Sequence, residues 1–88
     1  MDNRTIAQRL TGFAHYLESR KRSIYRVQAY RRAAETVLGL EQPVEDIVAS
    51  QGEKGLQNLP GIGRHLSFTI ANLVQTGMFR ILRKSHHP

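Results

Sequence analysis

Eighty-eight residues with a net charge of +6 and no cysteine leave room for one small domain, since domains usually run to about 100–150 residues. Disulfides and thiolate metal sites are excluded, and no apolar run approaches the roughly 20 residues needed to cross a bilayer. Asp2, Arg4 and Arg9 interrupt any leader-like start, so the chain reads as soluble and cytoplasmic, and as nucleoid-associated if it is bacterial.

Asn3 suits a helix N-cap, and Ile6, Leu10, Phe13, Ala14 and Leu17 recur at helical spacing behind it. They predict a first helix over about residues 4–18. "SRKRS" breaks the stripe, and Ser23 is the next candidate cap. Ile24, Val27, Tyr30, Ala34, Val37 and Leu38 form a second stripe, closed by Gly39. Pro43 suits the first position of a short third helix, with Glu45 and Asp46 in its positive first turn. Val44, Ile47 and Val48 would be its buried side. "SQGEKG" reads as a loop, and residues 55–58 as at most one or two helical turns. A last helix is expected over about residues 63–75, burying Leu66, Ile70, Leu73 and Val74 and stopped by Gly77. There is no β-type alternation, internal repeat or low-complexity segment. The expected fold is all-α: a small bundle of about four helices plus a short helical turn. Residues 1–79 form the domain; residues 80–88, "RILRKSHHP", are expected to be a basic tail or the start of a following domain.

Charge is unevenly spread. Arg20, Lys21, Arg22, Arg26, Arg31 and Arg32 fall within thirteen residues that contain no acid. Such a field favours polyanions, nucleic acid first and an anionic membrane surface second; the competing reading is a solvated, solubilising face. On a helical wheel Arg22, Arg26 and Tyr30 step along one edge of the second helix. Arg32 points away from the core, a solvated or phosphate-facing charge. Arg31 falls inside the apolar arc, where its stem would be buried and its guanidinium bonded to a carboxylate or to helix-end carbonyls.

"LPGIG", Leu59 to Gly63, is the most chemically pointed stretch. Pro60 fixes one φ angle, Gly61 can take a positive φ, and Gly63 removes a Cβ that an approaching backbone would meet. The first N–H groups of the following helix have no internal partner and sit at its positive end. A phosphate placed there would be held by amides, with Arg64 and His65 adding charge or hydrogen bonds. The competing reading is a glycine-rich helix–helix turn without a ligand.

"GLQNLPGIGRHLSFTIANLVQTG" and "LESRKRSIYRVQAYRRAAETVLGL" together resemble the amino-terminal, 8 kDa-like helix-hairpin-helix domain of family X DNA polymerases, over most of residues 3–79. The resemblance implies main-chain phosphate contacts at Gly61 and Gly63, and a 5′-phosphate contact at Arg26 with Tyr30 nearby. It also implies an aromatic at Tyr25 that can stack on a template base. No cofactor is required. A monovalent cation, K⁺ or Na⁺, would lie among the main-chain carbonyls of Gln57, Leu59 and Ile62. The implied partner is DNA (single-stranded, gapped or duplex backbone), in DNA repair, and alongside it a polymerase or other repair protein; no membrane is involved. The polymerase carboxylate cluster is absent. The position of the family's Schiff-base lysine for 5′-deoxyribose-phosphate lysis is Thr69, whose hydroxyl cannot form an imine. His65 stands where the family has a phosphate-binding lysine, and Phe68 replaces a neighbouring polar residue. The expected function is non-catalytic, sequence-nonspecific DNA binding. The alternatives are a lyase using a displaced lysine (Lys21, Lys54 or Lys84) and a protein-interaction module, for which Phe68 is a candidate contact if it is exposed.

Overall fold

The computed structural model describes residues 1–79, so the expected basic tail lies outside the described residues. It contains four helices: α1 (Asn3–Ser19), α2 (Ile24–Leu38), α3 (Val44–Gln57) and α4 (Arg64–Thr76). Among the described residues there is no strand, and no helix is long and apolar enough to cross a membrane.

The first helix is capped one residue earlier than expected. Asp2 is extended, and its Oδ1 accepts the Thr5 N–H at 2.8 Å. That hydrogen bond holds the Asp2 carboxyl below the ordinary carboxylate range. Asn3 is freed for a different task. Its Oδ1 accepts the Val44 N–H at 2.8 Å and its Nδ2 donates to the Gln42 carbonyl at 3.0 Å. It thus satisfies an orphan donor at the start of α3 and ties α1 to that helix.

α1 and α2 form a helical hairpin across residues 20–23, where the Arg22 N–H returns to the Leu17 carbonyl. Ser23 takes the cap position of α2 without a side-chain cap bond, and Gly39 closes the helix in the right-handed region. Arg31 finds the carboxylate partner expected of it, Glu18, at 2.7 Å, but the pair is nearly half exposed rather than buried. Ile24 and Leu38, expected in the buried stripe, are 63% and 60% exposed because they lie at the two ends of α2.

The third helix departs most from expectation. Pro43 is extended and caps α3 rather than opening it, and "SQGEKG" is helical except at Gly52. Gly52, with φ 69° and ψ −160°, is non-helical, so α3 is two helical pieces joined at a kink, the second of them the short turn expected before the hairpin. Only glycine adopts that conformation readily, so one residue bends the helix and redirects its last turn toward the hairpin.

Ile6, Leu10, Val27, Tyr30, Val37, Val44, Leu56, Ile70 and Leu73 fill a core reached by all four helices. Phe13 meets the rings of Tyr30 and Phe79, each at 4.9 Å between centroids. The chain after α4 is held against α1, where Arg9 Nη2 donates to the Gly77 carbonyl at 2.8 Å. Gly77 stops α4 in the left-handed conformation, as the sequence suggests.

Candidate nucleic-acid interface

The hairpin between α3 and α4 is built as a type II turn. Pro60 and Gly61 occupy its central positions, Gly61 at φ 77°, and the Ile62 N–H closes it onto the Leu59 carbonyl at 3.2 Å. Ile62, 3% exposed, plugs the turn into the core. Gly63 then caps α4 in an extended conformation with no side-chain cap bond. The N–H groups of Gly61, Gly63, Arg64 and His65 find no acceptor among the described residues. Gly61, Gly63, Arg64 and His65 are exposed, and they lie at the positive end of a thirteen-residue helix.

Three contacts set the hairpin's position. Thr36 of α2 donates its hydroxyl to the Pro60 carbonyl at 2.8 Å. Gln57 Nε2 donates to Ser67 Oγ at 3.2 Å, and that hydroxyl donates to the Arg64 carbonyl at 2.8 Å. The end of α3 is thereby pinned to the first turn of α4 through Ser67, a fully buried serine. Neither Thr36 nor Ser67 stands out from the sequence, because a hydroxyl that anchors a distant carbonyl looks like any other helical Ser or Thr.

The third contact bears on the reading of Arg32. A Cβ on Gly61 would lie 2.5 Å from Arg32 Cδ and 2.8 Å from its Cγ. The arginine stem therefore lies over the hairpin while the residue stays exposed, which favours the phosphate-facing of its two sequence readings. Arg32, Gly61, Tyr25, Gln28 and Ala29 line one cavity of about 330 Å³. Tyr25 stands at its edge, 80% exposed.

The other predicted residues divide. Arg26 is exposed on α2. Arg22 is also exposed but precedes α2, so it does not continue the edge that Arg26 begins. Tyr30 is a core residue, 1% exposed, and presents no surface to a ligand. Its hydroxyl is buried without a hydrogen-bond partner among the described residues. Burial raises its pKa above the ordinary 10.0, an effect partly offset by the neighbouring Thr69 and Arg26. Thr69 is itself 2% exposed. Of the three lysines, Lys21 and Lys54 are exposed, Lys54 on the last turn of α3 rather than in a loop; Lys84 lies outside the described residues. Phe68 is 39% exposed and borders a cavity between α3 and α4.

Of the carbonyls expected around a cation, Leu59 already accepts the Ile62 N–H, while those of Gln57 and Ile62 accept nothing among the described residues. No cluster of three or more His, Asp or Glu side chains that could hold a metal occurs among the described residues.

The family model for the helix-hairpin-helix domain matches residues 1–79. The chain belongs to that family, whose domains are generally associated with nonspecific DNA binding. No curated protein matches the chain at a significant level.

Proposed function

We propose that this helix-hairpin-helix protein grips DNA by its phosphate backbone, without reading sequence and without chemistry of its own, on gapped or 5′-phosphorylated DNA during repair. The observation that carries the reading is the exposed Gly61–Gly63 turn, whose N–H groups have no acceptor among the described residues while Arg32 and Arg64 flank it. A phosphate there receives charge-assisted hydrogen bonds from fixed amides. Arg26 on α2 and Arg22 in the connection before it add exposed positive charge. The resemblance of the "AYR" and "LPGIG" segments to family X polymerases supports the repair setting and a polymerase or other repair protein as companion. A K⁺ or Na⁺ ion would be held by the main-chain carbonyls of Gln57, Leu59 and Ile62, the first and last of which have capacity to spare. It would fix the turn electrostatically.

Lysis of a 5′-deoxyribose phosphate fits the geometry poorly. Thr69 is buried and carries no amine; Lys21 lies in the connection between α1 and α2, and Lys54 is exposed on the last turn of α3. Borohydride treatment with an abasic, 5′-incised substrate is expected to trap no adduct; a covalent adduct lost on replacing one lysine would restore the lyase reading. The binding itself is tested by fluorescence anisotropy with a 5′-phosphorylated gapped duplex. If three cations neutralise phosphates, affinity falls about 40-fold between 50 and 200 mM salt. Affinity indifferent to salt would overturn the phosphate grip, and shifts of the Phe68 face with a protein partner would favour an interaction module instead.

A further inference from the structure

One face of α1 has no part in phosphate binding. Arg4, Thr11 and Glu18 recur there at intervals of seven residues, close to two turns, so they share one side of the helix. From Arg4 to His15 that side floors a cavity of about 600 Å³, and the exposed Leu38, at the end of α2, walls it. The middle of the floor is made of short side chains, Ala7, Thr11 and Gly12. Gly12 sits inside α1, where glycine is less stabilising than alanine. A Cβ there would meet nothing within 4 Å, so no contact within the chain requires its absence. Leu38 stands about 120° around α2 from Arg32, and the cavity shares no residue with the one beside the hairpin.

We propose that this face of α1 is a homodimer interface, on which a second copy of the chain lays its own α1 antiparallel about a two-fold axis at Thr11. The charge pattern selects that occupant. Arg4 and Glu18 lie seven residues to either side of Thr11 and carry opposite signs. A two-fold axis at Thr11 sets each copy's Arg4 opposite the partner's Glu18, and the pairing occurs twice. A parallel copy would instead set Arg4 against Arg4 and Glu18 against Glu18. Glu18 is available for the contact, because its bond to Arg31 uses Oε1 and its side chain is nearly half exposed. Short side chains at the crossing let the two helices approach closely, and the open space at Gly12 receives the partner's Leu38. Dimerisation through α1 leaves the hairpin uncovered and is independent of the phosphate reading.

The test is sedimentation equilibrium of the full chain without DNA, over about 10 µM to 1 mM, the range suited to a small interface. Salt is held at about 150 mM, where a Debye length of about 8 Å screens the repulsion between copies that each carry +6. The mass is expected to rise with concentration from that of one chain toward that of two. Leu38→Ser, at an exposed position, should weaken association about tenfold or more. Gly12→Ala should raise the Tm of the monomer by about 4 °C, while its added methyl weakens the dimer. Arg4→Glu alone should dissociate the dimer, and Arg4→Glu combined with Glu18→Arg should restore it, as only the antiparallel register requires. A wild type that stays monomeric to the top of the concentration range would overturn the proposal. So would a dimer that Leu38→Ser and Arg4→Glu leave intact, or a double variant no more dimeric than Arg4→Glu. Circular dichroism of each variant distinguishes a lost contact from a lost fold.

Discussion

The two hairpin glycines offer a matched pair of perturbations, because alanine meets different physics at each. At Gly61, φ is 77° and a Cβ would lie 2.5 Å from Arg32 Cδ. The left-handed backbone costs an alanine about 1–2 kcal/mol, and the arginine stem must also leave its seat. We expect Gly61→Ala to destabilise the fold by about 2 kcal/mol, a fall in Tm of about 10 °C for a domain of this size. At Gly63 the backbone is extended, with φ −92° and ψ −168°, and no other atom lies within 4 Å of where an alanine methyl would stand. Gly63→Ala should therefore leave stability within about 0.5 kcal/mol of wild type. Binding should behave differently. If the open space at Gly63 is where a phosphate approaches, the added methyl displaces it. The loss of one hydrogen bond to a charged group, about 1.5–3 kcal/mol, then weakens DNA binding tenfold or more. The assay pairs urea unfolding followed by circular dichroism with anisotropy on a 5′-phosphorylated gapped duplex at fixed salt. A Gly63→Ala protein that folds and binds like wild type would refute the reasoning, since the turn would then be structural and the phosphate elsewhere.

Other expectations concern the supports of the hairpin and the core beneath it. Thr36→Val removes the hydroxyl that holds the Pro60 carbonyl; the cost should be about 1 kcal/mol in urea unfolding, with DNA affinity falling beyond what the stability change explains. Tyr30→Phe deletes a buried hydroxyl that makes no well-formed hydrogen bond among the described residues, though Thr69 and Arg26 lie close to it, so thermal melts should show a change within about 1 kcal/mol of neutral. The raised Tyr30 pKa also has a signed consequence. Because the folded state holds the phenolic proton more tightly than the unfolded chain, this contribution is complete below pH 10.0 and is lost as pH rises from there through the folded pKa. Alkaline unfolding of the wild type, compared with Tyr30→Phe, measures it; an alkaline limb equal in both would remove the burial argument.

Helix order and the hairpin were legible because both depend on local signals. Apolar spacing identifies α1, α2 and α4, and the Pro60-Gly61 pair specifies its turn with no help from the rest of the chain. The misread features all require knowing which helices meet. Asp2 and Asn3 are equally good caps by type; only the approach of α3 decides that Asn3 serves Val44. Gly52 resembles a loop glycine until Leu56, beyond it, is seen to be buried in the same core as Ile47. Arg32 reads on a wheel as solvated or phosphate-facing, and it is exposed; that its stem lies on Gly61, twenty-nine residues on, a wheel of one helix cannot show. Tyr30 lies on the same side of α2 as Arg26, yet the rings and helices around it close over its hydroxyl.

The way the turn is held bears on how it should bind. Thr36, Ser67 and Ile62 fix it from α2, from α4 and from the core, respectively. Donors fixed in this way lose little freedom when a phosphate arrives, whereas each long side chain immobilised at an interface costs about 0.5–1.5 kcal/mol. The amide and arginine contributions should therefore separate experimentally. Neutralising Arg64 or Arg32 removes a counterion-releasing charge and should lower the slope of log affinity against log salt by about one each. Altering Gly63 disturbs uncharged donors and should weaken binding at every salt concentration with the slope unchanged. A clasp made of backbone gives the second signature, and a merely basic surface gives only the first.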